Sequence, residues 1–170
     1  MTGEQKAIIE SPDNATLQED IDRIAEAFPF AGDFSGKTVL VTGSTGLIGS
    51  QVVKAFAAIN RKKDTEIRIL AQARNEEKAE KVFGTLLKRG DVELVTGDVQ
   101  EQLPVDGGVD FIVHGAAPTG SRFFVEKPVE TIHAILGGTE SILGLAKDKQ
   151  VSAMVFLSSL EVYGTPHPQQ

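Results

Sequence analysis

The apolar residues of this chain follow two rhythms. Short runs rich in valine, isoleucine and leucine, bounded by Gly, Asp or Asn, read as buried strands: Thr38–Val41, EIRILAQA (66–73), DVELVTGD (91–98), VDFIVHGAA (109–117) and VSAMVFLSS (151–159). Between them the apolar positions recur at helical spacing. Leu47–Asn60 places Val52, Val53, Phe56 and Ile59 on one face, and a basic loop, RKKD (61–64), follows it. NEEKAEKVFGTLLKRG (75–90) is a second helix, closed by Gly90. A third runs from about Pro128 to Lys149. Ahead of the first strand, residues 1–13 are polar and loose. NATLQEDIDRIAEAFPF (14–30) then reads as a helix, with a capping box from Thr16 to Glu19, Leu17, Ile21, Ile24 and Phe28 on one face, and Pro29 as its stop. Lying before the first strand, it is an added element that packs on the body, covers a sheet edge or meets a partner.

Strands alternating with helices predict an α/β fold with a doubly wound parallel sheet of Rossmann type. Right-handed crossovers place its strands in the order 3-2-1-4-5. The expected division is an N-terminal extension with one helix, residues 1–35, and a dinucleotide-binding domain, residues 36–170.

The stretch Val39–Ser50, VLVTGSTGLIGS, organises this pattern, with Gly43, Gly46 and Gly49 at every third position between a strand and a helix. The first glycine lets the chain turn sharply off the strand, the second lets backbone approach a pyrophosphate, and the third lets the helix pack closely. The helix that follows opens with unbonded N–H groups and the positive end of its dipole. In this context the glycines predict an adenine dinucleotide, NAD or NADP, bound over Gly43, Ser44, Thr45, Gly46, Leu47, Ile48 and Gly49.

Composition narrows the class. The chain has 170 residues, 41% hydrophobic and 24% charged, which suits one soluble globular core. Its net charge of −7, with Lys and Arg scattered, argues against a nucleic-acid surface. The absence of cysteine excludes disulfides, thiolate zinc sites and a cysteine nucleophile, and no metal site is expected. The N-terminus lacks the apolar core of a signal peptide, and no apolar run approaches membrane-spanning length. A cytoplasmic protein without membrane contact is expected.

Ligands in such sheets lie beyond the carboxyl ends of the strands. After the second strand comes Gln72-Ala73-Arg74-Asn75, where a cofactor with a free ribose 2′-hydroxyl usually meets an acid. Asp64 and Glu66 stand at the wrong end of that strand, and the right end offers Arg74. Arg74 either pairs with a 2′-phosphate or caps and solvates the next helix. After the third strand, Asp98 and Val99 follow Gly97; the Asp98 carboxylate either accepts from an adenine amino group or forms a turn. After the fourth, His114 reads as a hydrogen-bonded structural residue, and Gly115, Ala116 and Ala117 leave room for a flat ring and ribose. His133 carries no assigned role, and Phe123 and Phe124 read as packing. The fifth strand ends LSSLEVYG; if it stays extended, Ser159, Glu161 and Tyr163 share one face, a hydroxyl and a carboxylate suited to orienting a carbinol and moving a proton.

TGSTGLIG, GDV, HGAAP, Pro128 spaced from Gly138-Thr139, and SSLEVYG occur in an order that resembles the extended short-chain dehydrogenase/reductases, and within them the NAD-dependent epimerase/dehydratase family acting on nucleotide sugars. GTESILGLAK (138–147) followed by SSLEVYG is most similar to the UDP-glucuronate decarboxylases. The resemblance covers about Lys37–Gly164 and implies that the three glycines hold the pyrophosphate, Asp98 meets the adenine, and Ala116 and Ala117 line the nicotinamide side. It further implies Ser159 as the active-site hydroxyl, Glu161 as the acid–base carboxylate, and transient oxidation of a sugar hydroxyl by the bound cofactor. Three positions depart from the family pattern. Leu160 stands where the 4,6-dehydratases have an acid, and Ile135 where many members have Asn. The Tyr-x-x-x-Lys pair is absent, since Tyr163 is followed four positions on by His167. The expectation is therefore the N-terminal, cofactor-binding part of a longer nucleotide-sugar enzyme, inactive alone, with a homodimer possible. Two other readings stand beside it: a non-catalytic NAD(P)-binding module, which the missing Tyr and Lys favour, and an NADP-dependent carbonyl reductase of the same superfamily, which Arg74 fits.

Overall fold

Five parallel strands form one sheet: β1 (Thr38–Thr42), β2 (Arg68–Ala73), β3 (Val92–Thr96), β4 (Phe111–His114) and β5 (Ala153–Phe156), in the spatial order β3-β2-β1-β4-β5. The computed structural model describes residue 4 and residues 7–164, the side chains of 121, 160 and 161 excepted. The expected strand order is the observed one. β1 is central, pairing Val41 with Ala71 of β2 on one side and with Val113 of β4 on the other. Its residues Val39, Leu40 and Val41 have no accessible surface, as a strand covered on both faces requires.

Each face carries its own core. Val39, Val41, Ile69 and Ala71 point to one side, against Val53, Ala57 and Ile59 of α3 (Leu47–Lys63) and Ala79 and Phe83 of α4 (Glu76–Phe83). Leu40, Leu70 and Ile112 point to the other, against Val99, Val105 and Ile142, the last on α6 (Pro128–Asp148). The N-terminal helix α1 (Ala15–Ala27) does not lie on a sheet edge; it packs across α3, with Ile21 and Ala25 buried. A one-turn helix, α2 (Ala31–Phe34), follows it and sets Phe34 against Phe56 and Phe111.

Several local expectations are corrected. The α1 cap is Asn14, whose Oδ1 accepts from the Leu17 N–H at 3.0 Å, rather than a Thr16–Glu19 box. Ile24 is 52% exposed because Ala25 takes the inward position beside Ile21. The RKKD segment is not a loop: Arg61, Lys62 and Lys63 form the last turn of α3, where cations oppose the dipole's negative end, and Asp64, in the left-handed region at φ 51°, ends it. The helix expected over 75–90 breaks at Gly84, φ 51°, and continues as a 3-10 turn, Gly84–Lys88. A short helix, α5 (Ser121–Glu126), precedes α6. β5 stops at Phe156, and a 3-10 turn, Leu160–Tyr163, follows it.

The amino-terminal segment is fastened by a buried ion network that no local pattern announces. Arg89 has a fully buried side chain; Nη1 donates to Glu10 Oε1 at 2.6 Å, while Nε and Nη2 donate to the two oxygens of Asp91 at 3.1 and 2.7 Å. Nη2 also donates to the Ala57 carbonyl of α3 at 2.7 Å. Glu10 accepts from Arg61 Nη2 at 2.8 Å as well, and Arg61 bonds Asp22 of α1. Burial by itself would raise the Glu10 pKa, but hydrogen bonds from Arg61 and Gln18 and the charges of Arg61 and Arg89 outweigh it and hold the carboxyl below its ordinary value. A depressed carboxylate contributes stability above its unfolded pKa and loses it as pH falls through the folded value.

Glu10→Ala leaves Arg89 buried with half of its compensation, so it should cost about 3 kcal/mol in urea unfolding at neutral pH. A loss under about 1 kcal/mol would count against the network as the fastening of this segment.

Candidate functional site

The carboxyl ends of β1, β2, β3 and β4 converge around the turn after β1. Gly43 sits at φ +65°, the left-handed region that favours glycine. A Cβ on Gly43 would lie 2.7 Å from the Gly115 carbonyl oxygen and 2.9 Å from Ala116 Cα, so the turn and the loop after β4 touch backbone to backbone. A Cβ on Gly49 would lie 2.4 Å from the Gly43 carbonyl oxygen, which lets the first turn of α3 close directly over the glycine turn. Gly46 caps α3 without any side-chain bond, and it is exposed together with Leu47 and Ile48. The result is an uncapped helix N-terminus presented to solvent over a floor of bare backbone.

Ser44 lies beneath the turn. It has no accessible surface, and its Oγ has no hydrogen-bond partner among the described residues. Its N–H donates to the Gln72 carbonyl at 3.0 Å, which ties the turn to the end of β2.

Two polar side chains hold this floor. Gln72, buried in β2, accepts from the Gly43 N–H through Oε1 at 3.0 Å and donates through Nε2 to the Gly97 carbonyl at 2.7 Å. One amide thereby joins the ends of β1, β2 and β3. On the other side, Thr42 Oγ1 accepts from the N–H groups of Gly115 and Ala116 at 3.2 and 3.3 Å and lies 2.6 Å from His114 Nδ1. With both lone pairs engaged, the Thr42 hydroxyl gives its proton to Nδ1, so we assign the neutral ring with its own proton on Nε2. That nitrogen faces Thr139 Oγ1 at 3.4 Å, and the Thr139 hydroxyl donates to the Ile135 carbonyl at 2.7 Å. Burial holds the His114 pKa below its ordinary value, in keeping with a neutral structural histidine. Sequence reading passed over Gln72 and Thr42; the available signal was a polar side chain in the middle of an apolar strand.

The remaining candidates fall into place unevenly. Asp98 forms a turn: its Oδ1 accepts from the Gln100 N–H at 2.9 Å, and its Oδ2 lies 3.6 Å from Arg74 Nη1. Arg74 is 69% exposed and does not cap the following helix, a role that Asn75 takes by accepting from the Lys78 N–H at 2.8 Å. Val99 is buried against α6, and Gly138 is small enough to admit it. Ala116 is half-buried and Ala117 exposed beside the turn. A groove of about 590 Å³ opens between these strand ends and α5 and α6, with Arg74, Gln100, Thr119, Phe123 and His133 among its walls.

The chain does not stay extended beyond β5, the condition on which a common face of Ser159, Glu161 and Tyr163 rested. The β4–β5 ladder ends at the pair His114–Phe156, and the last bond runs from the Leu157 N–H to the His114 carbonyl at 2.9 Å. The chain then curls into the 3-10 turn, with the Ser159 carbonyl accepting from the Val162 N–H. Tyr163 is 83% exposed. The Glu161 side chain, and His167, lie outside the described residues.

The model of the NAD dependent epimerase/dehydratase family matches residues 39–170. The chain belongs to this family. Among curated relatives, UDP-glucuronic acid decarboxylase 6 of Arabidopsis thaliana is 37% identical over 79% of this chain and 38% of its own length. UDP-glucose 4-epimerase of Rickettsia typhi is 31% identical over 74% of this chain and 37% of its own. A UDP-glucose 4-epimerase from Bifidobacterium longum, solved in complex with NAD+ and UDP, superposes with a TM-score of 0.60 at 25% identity, over 76% of this chain and 39% of that one. The chain thus spans under two fifths of the length of these epimerase/dehydratase relatives. Among the described residues no helix is long and apolar enough to cross a membrane.

Gln72→Glu tests the floor. Ionised, the new carboxylate still accepts from Gly43 but opposes the Gly97 carbonyl; protonated, it can donate there as the amide does. Its pKa should therefore be raised, and the penalty, about 1–3 kcal/mol well above that pKa, should shrink as pH falls through it. Urea unfolding of variant and wild type at pH 8 and 5 measures the gap; a gap that does not narrow at the lower pH would refute the bridge.

Proposed function

We propose that this chain is the dinucleotide-binding half of a nucleotide-sugar epimerase, dehydratase or decarboxylase working by transient oxidation. The observation that carries the reading is the glycine turn: bare backbone at Gly43 and Gly49 under an uncapped helix N-terminus at the carboxyl end of β1. A pyrophosphate fits this cradle, since a side chain at Gly43 or Gly49 would collide with backbone and Gly46 is exposed without one.

In this reading the N–H groups at the start of α3 hold the pyrophosphate, and Thr45, Leu47 and Ile48 border it. Leu47, 85% exposed, gains an apolar neighbour in the bound dinucleotide. Asp98 keeps lone pairs free beyond its bonds to Gln100 and Arg74, enough to accept from an adenine amino group. Ala116 and Ala117, set by the Thr42 hydroxyl, give the nicotinamide end a wall without bulk. A nicotinamide dinucleotide held there would supply reversible hydride acceptance, the chemistry that makes a sugar hydroxyl temporarily a ketone. Ser159 orients the sugar carbinol and Glu161 carries the proton. Full proton transfer in this family resemblance also calls for a phenol with a lysine beside it, and residues 1–170 contain no Tyr-x-x-x-Lys. The similarity to a UDP-glucuronic acid decarboxylase and a UDP-glucose 4-epimerase supports a UDP-sugar as substrate, UDP-glucuronate before UDP-glucose on identity.

Gly46→Val places a branched side chain where the pyrophosphate approaches, its Cβ already 3.2 Å from the Gly43 carbonyl oxygen. Calorimetric titration should show NAD(H) affinity at least about tenfold weaker, roughly 1.4 kcal/mol, with the unfolding midpoint recorded alongside. Equal affinity in both proteins would refute the dinucleotide reading. Separately, this chain alone, given UDP-glucuronate and either dinucleotide, should release no carbon dioxide and form no epimer. Measurable turnover would show that the proton-transfer residues have been misplaced.

A further inference from the structure

In a sheet of this topology the adenosine ribose arrives at the carboxyl end of β2, and the group it meets there selects the form of the dinucleotide. A 2′-hydroxyl calls for a carboxylate to accept its proton. A 2′-phosphate is repelled by a carboxylate and drawn to a guanidinium. The last polar side chain within β2 is not available for either task. Gln72 is buried, and its amide is engaged at both ends, by the Gly43 N–H at 3.0 Å and the Gly97 carbonyl at 2.7 Å. Ala73, which ends the strand, offers no polar group. Asn75 is occupied in capping α4.

Arg74 is what remains. Its side chain is 69% exposed, and it borders the groove that opens at the strand ends. Its contact with Asp98 is long, 3.6 Å, and open to water, an ion pair of little worth. Asp98 does not depend on it, because its other oxygen is held by the Gln100 N–H at 2.9 Å. The guanidinium can therefore leave Asp98 for a phosphate at little cost and gain a charge-assisted, two-pronged contact. Glu76 and Glu77 in the first turn of α4 and Glu130 on the groove wall oppose an anion, so any selection must come from the direct Arg74 contact and not from the surrounding field.

We propose that Arg74 makes this site accept a dinucleotide carrying a ribose 2′-phosphate, NADP(H), at least as well as NAD(H). The inference rests on the dinucleotide reading above and adds the choice between the two forms. It departs from the NAD dependence in the family's description.

The test is calorimetric titration of the whole chain with NAD+, NADP+, 5′-ADP and 2′,5′-ADP at two salt concentrations. NADP+ should bind at least as tightly as NAD+, and 2′,5′-ADP more tightly than 5′-ADP, with the 2′-phosphorylated ligands losing more affinity at high salt. Arg74→Ala should lower the NADP+ to NAD+ affinity ratio by tenfold or more, Arg74→Lys should lower it by less, and Asp98→Asn should not lower it. A wild-type chain that binds NAD+ the more tightly, or a ratio unmoved by Arg74→Ala, overturns this proposal and leaves the dinucleotide reading standing. Binding of neither dinucleotide overturns both.

Discussion

The site depends on one steric fact: two stretches of backbone, remote in sequence, occupy the space where a side chain on Gly43 would be. The turn after β1 presses on Gly115 and Ala116 of the loop after β4, with a gap that no Cβ can enter. This contact fixes how far the turn can sink between its neighbours, and so sets the height at which the first N–H groups of α3 emerge. The Gly49 contact with the Gly43 carbonyl then fixes the direction of the helix. Turn, loop and helix form one rigid unit because none has a side chain to rearrange at the point of contact.

Backbone packed so closely still has donors and acceptors to satisfy, and this is where Gln72 and Thr42 enter. The Gly43 N–H points down toward β2, where only a side chain can reach it, and a strand residue whose amide spans two loops does so. The N–H groups of Gly115 and Ala116 turn inward and find the Thr42 hydroxyl, one residue from the glycine they flank. At the opposite end of the strands the Arg89 network performs the corresponding task. It gathers Glu10, Asp91 and a helix carbonyl into one buried cluster and ties the amino-terminal segment to α3 and β3. The fold is polar at both ends of an apolar sheet, with the buried charges kept away from the ligand end.

Much of this was legible in the sequence. The glycine spacing between an apolar run and an amphipathic helix identified the β1–turn–α3 unit, and the alternation of the two rhythms yielded the strand order. What escaped are interactions set by register between distant segments. Gln72 bridges positions 43 and 97, and Glu10 meets Arg89 across 79 residues; neither pairing has a local signature beyond a polar residue in an apolar setting. The RKKD segment misled for a related reason. Its charges resemble a loop, but Glu10, Asp22 and Glu26 supply the partners that let it finish a helix. The face drawn through Ser159, Glu161 and Tyr163 assumed an extended chain, and the β4–β5 ladder ends before those residues, at His114–Phe156.

His114 shows how these constraints reach the electrostatics. Its ring stands between Thr42 on β1 and Thr139 on α6 and can satisfy both hydroxyls only as the neutral Nε2–H tautomer. A second proton would set an N–H on Nδ1 against the Thr42 oxygen, whose lone pairs already serve Gly115 and Ala116, and would bury a charge as well. Burial lowers the folded-state pKa. Above the ordinary imidazole value of about 6.5 the arrangement therefore carries no protonation penalty. Below it the unfolded chain binds a proton that the folded chain resists, and the fold loses stability as pH falls. The hydroxyl that positions the Gly115–Ala116 wall is thus fixed in one orientation over the neutral range. It holds the Gly115–Ala116 wall through geometry and a single proton.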